Sequence, residues 1–236
     1  MAIGRKKYMD ASEVRQLRTV TEGQAMLDLK KGRVNGVVQW MLVDLALSTG
    51  LRVSEMAALK VEDLDLKRGC MTVIRLKRHK RKKGAKSGKK ERKAVEESRK
   101  PVRETLMIGK QLLGHLKTYL TWRSCRIADM EEDRREGLTD ARGALLVGQR
   151  GPLSAQGLQQ VWKAAIRRAG LPEEYSIHSA RHTLAVHLLK RTGNLRQVQK
   201  QLGHTSPVTT ANMYADVSDE DMQNGVTGLW DDNDVK

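Results

Sequence analysis

An apolar segment at residues 34–49 (VNGVVQWMLVDLALST) constrains the fold more than any other part of the chain. Its hydrophobic side chains occur on most sides of a helix, and such a helix must be covered by other elements over most of its surface. Gly50 follows directly and is a natural stop, because glycine readily adopts the left-handed conformation that ends helices. We therefore predict a buried helix over 34–49, with the rest of the chain packed around it.

Capping and stop residues predict further helices on both sides of this core helix. Asp10 followed by Glu13 has the spacing of a capping box, which begins a helix over about residues 11–20. By the same reasoning we expect helices at about 53–60, 109–127, 154–169 and 178–192, a short one capped by Asn194 and running to about 202, one from Ser206 that carries Tyr214, and a last one from Ser218. The charged segment 129–143 is expected to be a surface connection.

Two β-rich segments, 70–77 (CMTVIRLK) and 101–108 (PVRETLMI), bracket a basic stretch. They predict two strands joined by an enlarged hairpin loop at about 78–100. With 236 residues, of which 39% are hydrophobic, the chain is long enough to bury a core as one domain. We predict a mainly α fold with a small antiparallel β-sheet, an α+β architecture.

The basic charge is concentrated in one place. Of the formal net charge of +16, the stretch 75–103 carries +12, from 15 Lys or Arg and three Glu. A surplus of this size indicates a polyanionic partner, and the low aromatic content of 3% disfavours a stacking platform for single strands, so we predict double-stranded DNA. The residues expected to bind its phosphates are Lys80, Arg81, Lys82, Lys83, Lys86, Lys89 and Lys90.

The sequence has no apolar run long enough for a membrane span and no signal-peptide pattern after its basic start. We expect a cytoplasmic protein. Cys70 and Cys125 lie far apart and in no metal-binding spacing, so reduced thiols are expected, with no disulfide and no cysteine zinc site.

The polar motifs are spread over the chain. Arg52 follows the core helix, and His178 and Arg181 are three apart, so they share one face of a predicted helix. His204 comes just after the next short helix, and Tyr214 follows ten residues later. Spacing alone does not show that these groups converge.

Four elements in this order resemble the tyrosine recombinases, also called phage-type integrases: 49–55 (TGLRVSE), 178–183 (HSARHT), 202–204 (LGH), and Tyr214 after two threonines. The resemblance spans about residues 8–225 and corresponds to the catalytic domain of that family. It implies a site-specific DNA recombinase that cleaves and rejoins duplex DNA through a covalent 3′-phosphotyrosyl intermediate. It also implies that no metal, cofactor, ATP or small-molecule substrate is needed.

The charges suit that chemistry. Attack on a phosphodiester adds negative charge at phosphorus, which the planar guanidinium groups of Arg52 and Arg181 can stabilise. By the resemblance, Tyr214 is the nucleophile, His178 the base that accepts its proton, and His204 a hydrogen-bond donor to a phosphate oxygen. Glu55 is expected to orient Arg52 or a neighbour.

The leaving 5′-hydroxyl needs a general acid, which in this family is a lysine of the hairpin between two strands. Lys77 is the best placed. The loop that follows is longer and richer in lysine than is usual in the family, so Lys80, Lys86 and Lys100 stay open as alternatives.

The expected organisation is a basic tail at 1–9, a catalytic domain at 10–217 and a C-terminal helix with an acidic tail at 218–236. Most family members carry a further N-terminal domain that closes around DNA, whereas this sequence begins almost directly with the catalytic domain. We hypothesise that the loop 78–100 partly replaces that grip. The resemblance also implies a homo-oligomer, with four protomers on two duplexes and each C-terminal helix docked on a neighbour.

Other functions fit the residues less well. A type IB topoisomerase would relax DNA with the same kinds of side chain, and a regulator of the same fold would bind DNA without cutting it. The His178 and His182 pair has the spacing of zinc ligands but lacks the glutamate of a zinc protease. Three acids that might suggest a two-metal nuclease, Glu62, Asp63 and Asp65, are expected to form a solvated turn.

Overall fold

The computed structural model describes residues 8–76, 101–132 and 138–203. Its helices are α1 (Ala11–Lys30), α2 (Asn35–Thr49), α3 (Val53–Ala58), α4 (Lys110–Glu132), α5 (Leu138–Gly143), α6 (Ala155–Arg168), α7 (Ile177–Thr192) and α8 (Leu195–Leu202). The strands are β1 (Leu64–Asp65), β2 (Cys70–Leu76), β3 (Pro101–Met107), β4 (Val147–Gly148) and β5 (Gly151–Pro152). The predicted fold class, mainly α with a small antiparallel sheet, is confirmed.

Helix α2 lies at the centre of the molecule, as its sequence predicts. Most of its side chains are buried, and it packs against α1, α4, α6 and α7. Gly50 ends the helix with φ of 64°, and its N–H donates to the carbonyl of Ala46. A Cβ at Gly50 would lie 2.6 Å from Leu202 Cδ2, so the end of α8 approaches closely where α2 stops.

Helix α1 is longer than its sequence predicts. The capping box is present, with Asp10 Oδ1 accepting from the N–H of Glu13 and Glu13 Oε2 accepting from the N–H of Asp10. The helix continues past residue 20 to Lys30, through Gly23. Packing along α2 buries Leu17, Thr21, Ala25 and Asp28 at every fourth residue or so, and this tertiary contact outweighs the weak helix propensity of glycine.

The sheet has the order β1-β2-β3, with antiparallel neighbours. Strands β2 and β3 pair from Cys70 opposite Met107 to Leu76 opposite Pro101, which confirms the predicted strands with each ending one residue early. Alternation directs Met71 and Val73 inward together with the charged Arg75, and it leaves Ile74 exposed. The hairpin loop predicted at 78–100 lies outside the described residues.

The prediction that 129–143 is a surface connection is wrong at both ends of the segment, because both ends are helical. Helix α4 continues to Glu132, and α5 occupies Leu138–Gly143. A small second core explains this, because Met130 of α4 and Ala141 of α5 are fully buried in one cluster. The Arg123 guanidinium on α4 fixes the end of α5 by donating to the carbonyl oxygens of Ala141, Arg142 and Ala144.

The last described helices follow the sequence closely. Ser154 caps α6 by accepting from the N–H of Gly157, and Asn194 caps α8 by accepting from two N–H groups of its first turn. Gly193 ends α7 with φ of 61°. The helices predicted after residues 206 and 218 lie outside the described part of the chain.

None of the described helices combines the length and apolar character needed to cross a membrane. Cys70 and Cys125 are both free thiols, as expected.

Candidate active site

Arg52 lies at the start of α3, directly after the core helix. Its Nη1 is 2.6 Å from Glu55 Oε1, and its backbone N–H donates to Glu55 Oε2 at 2.9 Å. The Glu55 side chain is 6% exposed and that of Arg52 39% exposed. The buried carboxylate therefore fixes a guanidinium that still faces solvent, in agreement with the orienting role expected for Glu55.

Arg181 is buried on α7 and connects two helix ends. Its Nη1 donates to the carbonyl of Gly50 and its Nη2 to the carbonyl of Leu202, both at 2.6 Å. Burial lowers the pKa of Arg181 to about 10, with the nearby Arg52 cation acting in the same direction and Glu55 opposing it. The group stays positively charged at neutral pH.

His178 lies in the first turn of α7, with its ring packed edge-on against His182 at a centroid distance of 4.7 Å. The side chain reaches solvent, yet desolvation by the surrounding protein lowers the pKa of His178, and the cations Arg181 and Arg52 lower it further. The imidazole is therefore neutral at pH 7 and able to accept a proton.

Arg52 and His178 line one open cavity of about 460 Å³ between the start of α3, α6 and the start of α7. Its lining residues are Leu51, Arg52, Val53, Ser54, Gln159, Trp162, Lys163, Ser176, Ile177 and His178. Arg181 contacts Gly50 at the edge of this region. The fold thus brings together three predicted site residues that are far apart in sequence.

The other predicted site residues lie outside the described residues. These are the nucleophile Tyr214, the hydrogen-bond donor His204, the general acid Lys77 with its alternatives, and the seven basic residues assigned to DNA contact. Their positions stay predictions.

Two cations near the site were not singled out from the sequence. Burial and the nearby Arg52 cation lower the pKa of Arg75 on β2, and Arg75 in turn acts in the same direction on the pKa of Arg181. The inward alternation of Met71, Val73 and Arg75 is a signal that would have found it. Lys163 is an exposed residue of α6 that lines the cavity, and no local pattern distinguishes it from other surface lysines.

The acids considered for a metal site lie in a surface turn. Glu62 is paired with Lys60 at 3.3 Å and Asp65 with Arg68 at 3.7 Å, and all four side chains are at least 44% exposed. Within residues 8–76, 101–132 and 138–203, no three His, Cys, Asp or Glu side chains are grouped closely enough to hold a metal ion.

Among proteins of similar sequence, the tyrosine recombinase XerD of Staphylococcus saprophyticus is 26% identical over 215 residues, covering 90% of this chain and 60% of its own. The tyrosine recombinase XerC of Bacillus subtilis is 28% identical over 190 residues, covering 80% of this chain and 52% of its own. The chain therefore spans between about half and three fifths of the length of these relatives.

Two solved structures share the fold. The XerA recombinase superposes with a TM-score of 0.65 at 19% identity, over 95% of this chain and 64% of that one. The Tn1549 transposon integrase, solved in complex with transposon right end DNA, gives 0.63 at 17% identity, over 97% of this chain and 68% of that one. The sequence profile of the phage integrase family matches residues 7–221, so this chain belongs to the phage integrase family.

Proposed function

We propose that this chain is a site-specific DNA recombinase that cleaves and rejoins duplex DNA through a covalent 3′-phosphotyrosyl intermediate. The observation that carries the proposal is that Arg52 and His178 line one open cavity, with the buried Arg181 close enough to act on His178, in a chain of the phage integrase family. The relatives XerD and XerC are named tyrosine recombinases, which supports the same reaction here.

The two arginines are proposed to stabilise the phosphate in different ways. Arg52 is held by Glu55 on one side and reaches solvent on the other, so it is the group that would contact a non-bridging oxygen. Arg181 uses Nη1 and Nη2 to hold backbone carbonyls, and its buried positive charge acts at low dielectric. Both cations are fixed before the substrate arrives, so they stabilise the charge that develops in the transition state without reorganising.

Tyr214 is the proposed nucleophile and His178 the base. A tyrosine hydroxyl has a reference pKa of about 10 and needs an acceptor for its proton. The lowered pKa of His178 keeps the ring neutral near pH 7, which is the form that accepts. His204 is proposed to donate a hydrogen bond to a phosphate oxygen.

Lys77 is the proposed acid that protonates the leaving 5′-hydroxyl, with Lys80, Lys86 and Lys100 as alternatives. The phosphotyrosyl bond keeps the free energy of the broken phosphodiester, so a DNA hydroxyl can reverse the step without ATP or metal. Strand exchange becomes possible when that hydroxyl belongs to another duplex.

The partners follow from this reaction. Double-stranded DNA is the proposed substrate, gripped along its backbone by the basic loop 78–100. We place the reaction in the cytoplasm, on mobile DNA, with four copies of the chain on two duplexes. The catalytic domain is proposed to occupy 10–217, with the helix from residue 218 joining neighbouring copies.

A trapping experiment tests the proposal although the target sequence is unknown. The probe is a pool of duplexes with randomised sequence around a nick, so that cleavage beside the nick releases a short 5′-hydroxyl fragment and prevents rejoining. Wild type and Tyr214→Phe are incubated with the pool in EDTA. We expect a detergent-resistant protein–DNA adduct with wild type and none with Tyr214→Phe, and sequencing of the trapped DNA identifies the site.

Each alternative gives its own result. Metal-dependent cleavage without an adduct rules out the proposal. Adducts at unrelated sequences, together with relaxation of a supercoiled plasmid by single copies, indicate a topoisomerase. Selective binding of DNA without any adduct indicates a regulator.

A further inference from the structure

Arg75, on β2, is a buried cation outside the motifs that define the family. Its side chain is 5% exposed, and its Nη1 is 3.1 Å from Glu104 Oε2 on β3. Arginine is almost never buried unless it is paired, and here one half-exposed carboxylate is the only acid within ion-pairing distance among the described residues. Neither Nε nor Nη1 forms a hydrogen bond in the described part of the chain, so the contact of Nη1 with Glu104 is an ion pair only. Burial of a guanidinium with so few partners is unfavourable, which indicates a role beyond packing.

Among the described residues, Arg75 also contacts the end of α8. Its Nη2 donates to the carbonyl of Gln201 at 3.1 Å, while Arg181 Nη2 donates to the next carbonyl, that of Leu202. Two arginines from different elements thus hold successive carbonyls at one helix end. The C-terminus of a helix carries partial negative charge, so cations stabilise it there.

Gly203 lies directly against the Arg75 guanidinium. A Cβ built on Gly203 would overlap Nη1 and Cζ of Arg75, and the glycine has φ of 62°. The close approach and the left-handed backbone both require glycine at this position. His204 is the next residue of the chain.

We propose that Arg75 is a positioning residue of the phosphate site, which holds Gln201 and Gly203 against β2 so that His204 meets the same phosphate as Arg52 and Arg181. This inference rests on the proposed function. Arg75 acts through the end of α8 and does not touch the phosphate, since its side chain is buried and paired with Glu104. Glu55 and Arg52 are further charges close enough to act on it.

The test measures single-turnover adduct formation by the full chain on the nicked duplex pool, with DNA affinity measured separately. Arg75→Met is expected to slow adduct formation at least tenfold at saturating protein and to change the DNA dissociation constant less than twofold. Arg75→Lys retains one donor for the Gln201 carbonyl and should recover part of the rate. The matched control is Arg123→Met, which also removes a buried arginine from helix-end carbonyls, but away from the site. Its rate per folded molecule should stay within threefold of wild type.

A double-mutant cycle separates positioning from general loss of structure. If Arg75 acts through His204, then Arg75→Met should add almost nothing to the defect of His204→Ala, whereas a general structural effect would multiply with it. A wild-type rate in Arg75→Met, a change in affinity alone, or full multiplication in the cycle would each overturn the inference. If Arg75→Met does not fold, Glu104→Ala takes its place, and an unchanged rate in that variant is equally decisive. Absence of an adduct with wild type would instead reject the proposed function.

Discussion

Arg181 donates from Nη1 to the carbonyl oxygen of Gly50 at 2.6 Å, so a cation of α7 binds the residue that ends the central helix α2. The same guanidinium reaches Leu202 at the end of α8. The residue predicted to stabilise the phosphate is therefore also a structural link between the segments that precede Arg52 and His204. Loss of Arg181 should affect stability and reaction together.

Arg181→Lys tests this double role. An ammonium is a single compact charge and cannot reproduce the fork that holds two carbonyls, so one buried acceptor loses its partner. We expect a loss of unfolding free energy of about 1–3 kcal/mol and a cleavage rate reduced by more than about tenfold. Thermal denaturation and adduct formation measure the two effects. Arg191→Lys, on the exposed end of the same helix, is the control and should change neither.

Arg52→Ala should reduce catalysis far more than stability. Removal of the guanidinium leaves the buried Glu55 carboxylate without its ion-pair partner, so the free energy of unfolding should fall by about 1–3 kcal/mol while the chain still folds. Loss of one preorganised donor typically raises a barrier by about 3–4 kcal/mol, so adduct formation should fall by about 10²–10³-fold. Arg68→Ala, at an 84% exposed side chain, should have a wild-type rate. A comparable rate in the two variants would contradict the assignment of Arg52.

The pH dependence of cleavage should report His178. Burial and the cations Arg181 and Arg52 lower the pKa of His178, so the neutral, proton-accepting form persists below the ordinary value of about 6.5. We expect single-turnover cleavage to be on its plateau at neutral pH and to fall only at a pH below that value. The inflection should disappear in His178→Gln.

The same shift has a consequence for stability. Because the folded state disfavours the protonated ring, this contribution is fully present above the unfolded pKa and is lost as pH falls through the folded one. Unfolding free energy should therefore decline more steeply in wild type than in His178→Gln as pH is lowered below about 6.5. Equal slopes for the two proteins would contradict the direction of the shift.

Asp28→Ala should lower the free energy of unfolding without changing the rate of adduct formation. Its Oδ2 accepts from the N–H of Gly36 in the first turn of α2 at 2.7 Å, and its Oδ1 accepts from Gln24. Asp28→Ala leaves a buried donor unpaired at the start of the core helix, which should cost about 1–3 kcal/mol of unfolding free energy. Urea denaturation measures the loss, with the exposed Glu132→Ala as control. Adduct formation per folded molecule should be unchanged.

The basic loop 78–100 is predicted to bind DNA phosphates. Replacement of this loop by a Gly/Ser linker of the same length should weaken duplex binding and reduce the slope of log affinity against log salt by about 0.9 for each phosphate that the loop neutralises. A titration between low and moderate salt measures the slope. An unchanged slope would show that the loop does not lie along DNA.

Much of the fold follows from local sequence rules. The capping box of Asp10 and Glu13, the left-handed stop at Gly50 and the two β-rich strands each depend on a few neighbouring residues, and all three appear where expected. Local rules do not predict the extension of α1 beyond residue 20 or the helical structure within 129–143. In both cases burial against distant elements stabilises helix where local propensity is weak.

The candidate site also combines features that follow from the sequence with features that depend on tertiary packing. By itself, the sequence determined which residue types are present and in what order, and these motifs place the chain in the phage integrase family. Only the tertiary structure decided that Arg52 and His178 line one cavity with Arg181 close to His178, and that Arg75 and Arg181 hold successive carbonyls at the end of α8. The physical reason is that such buried cations are bonded by segments far along the chain, as Gly50 accepts from Arg181 and Gln201 from Arg75, and local periodicity carries no information about those partners.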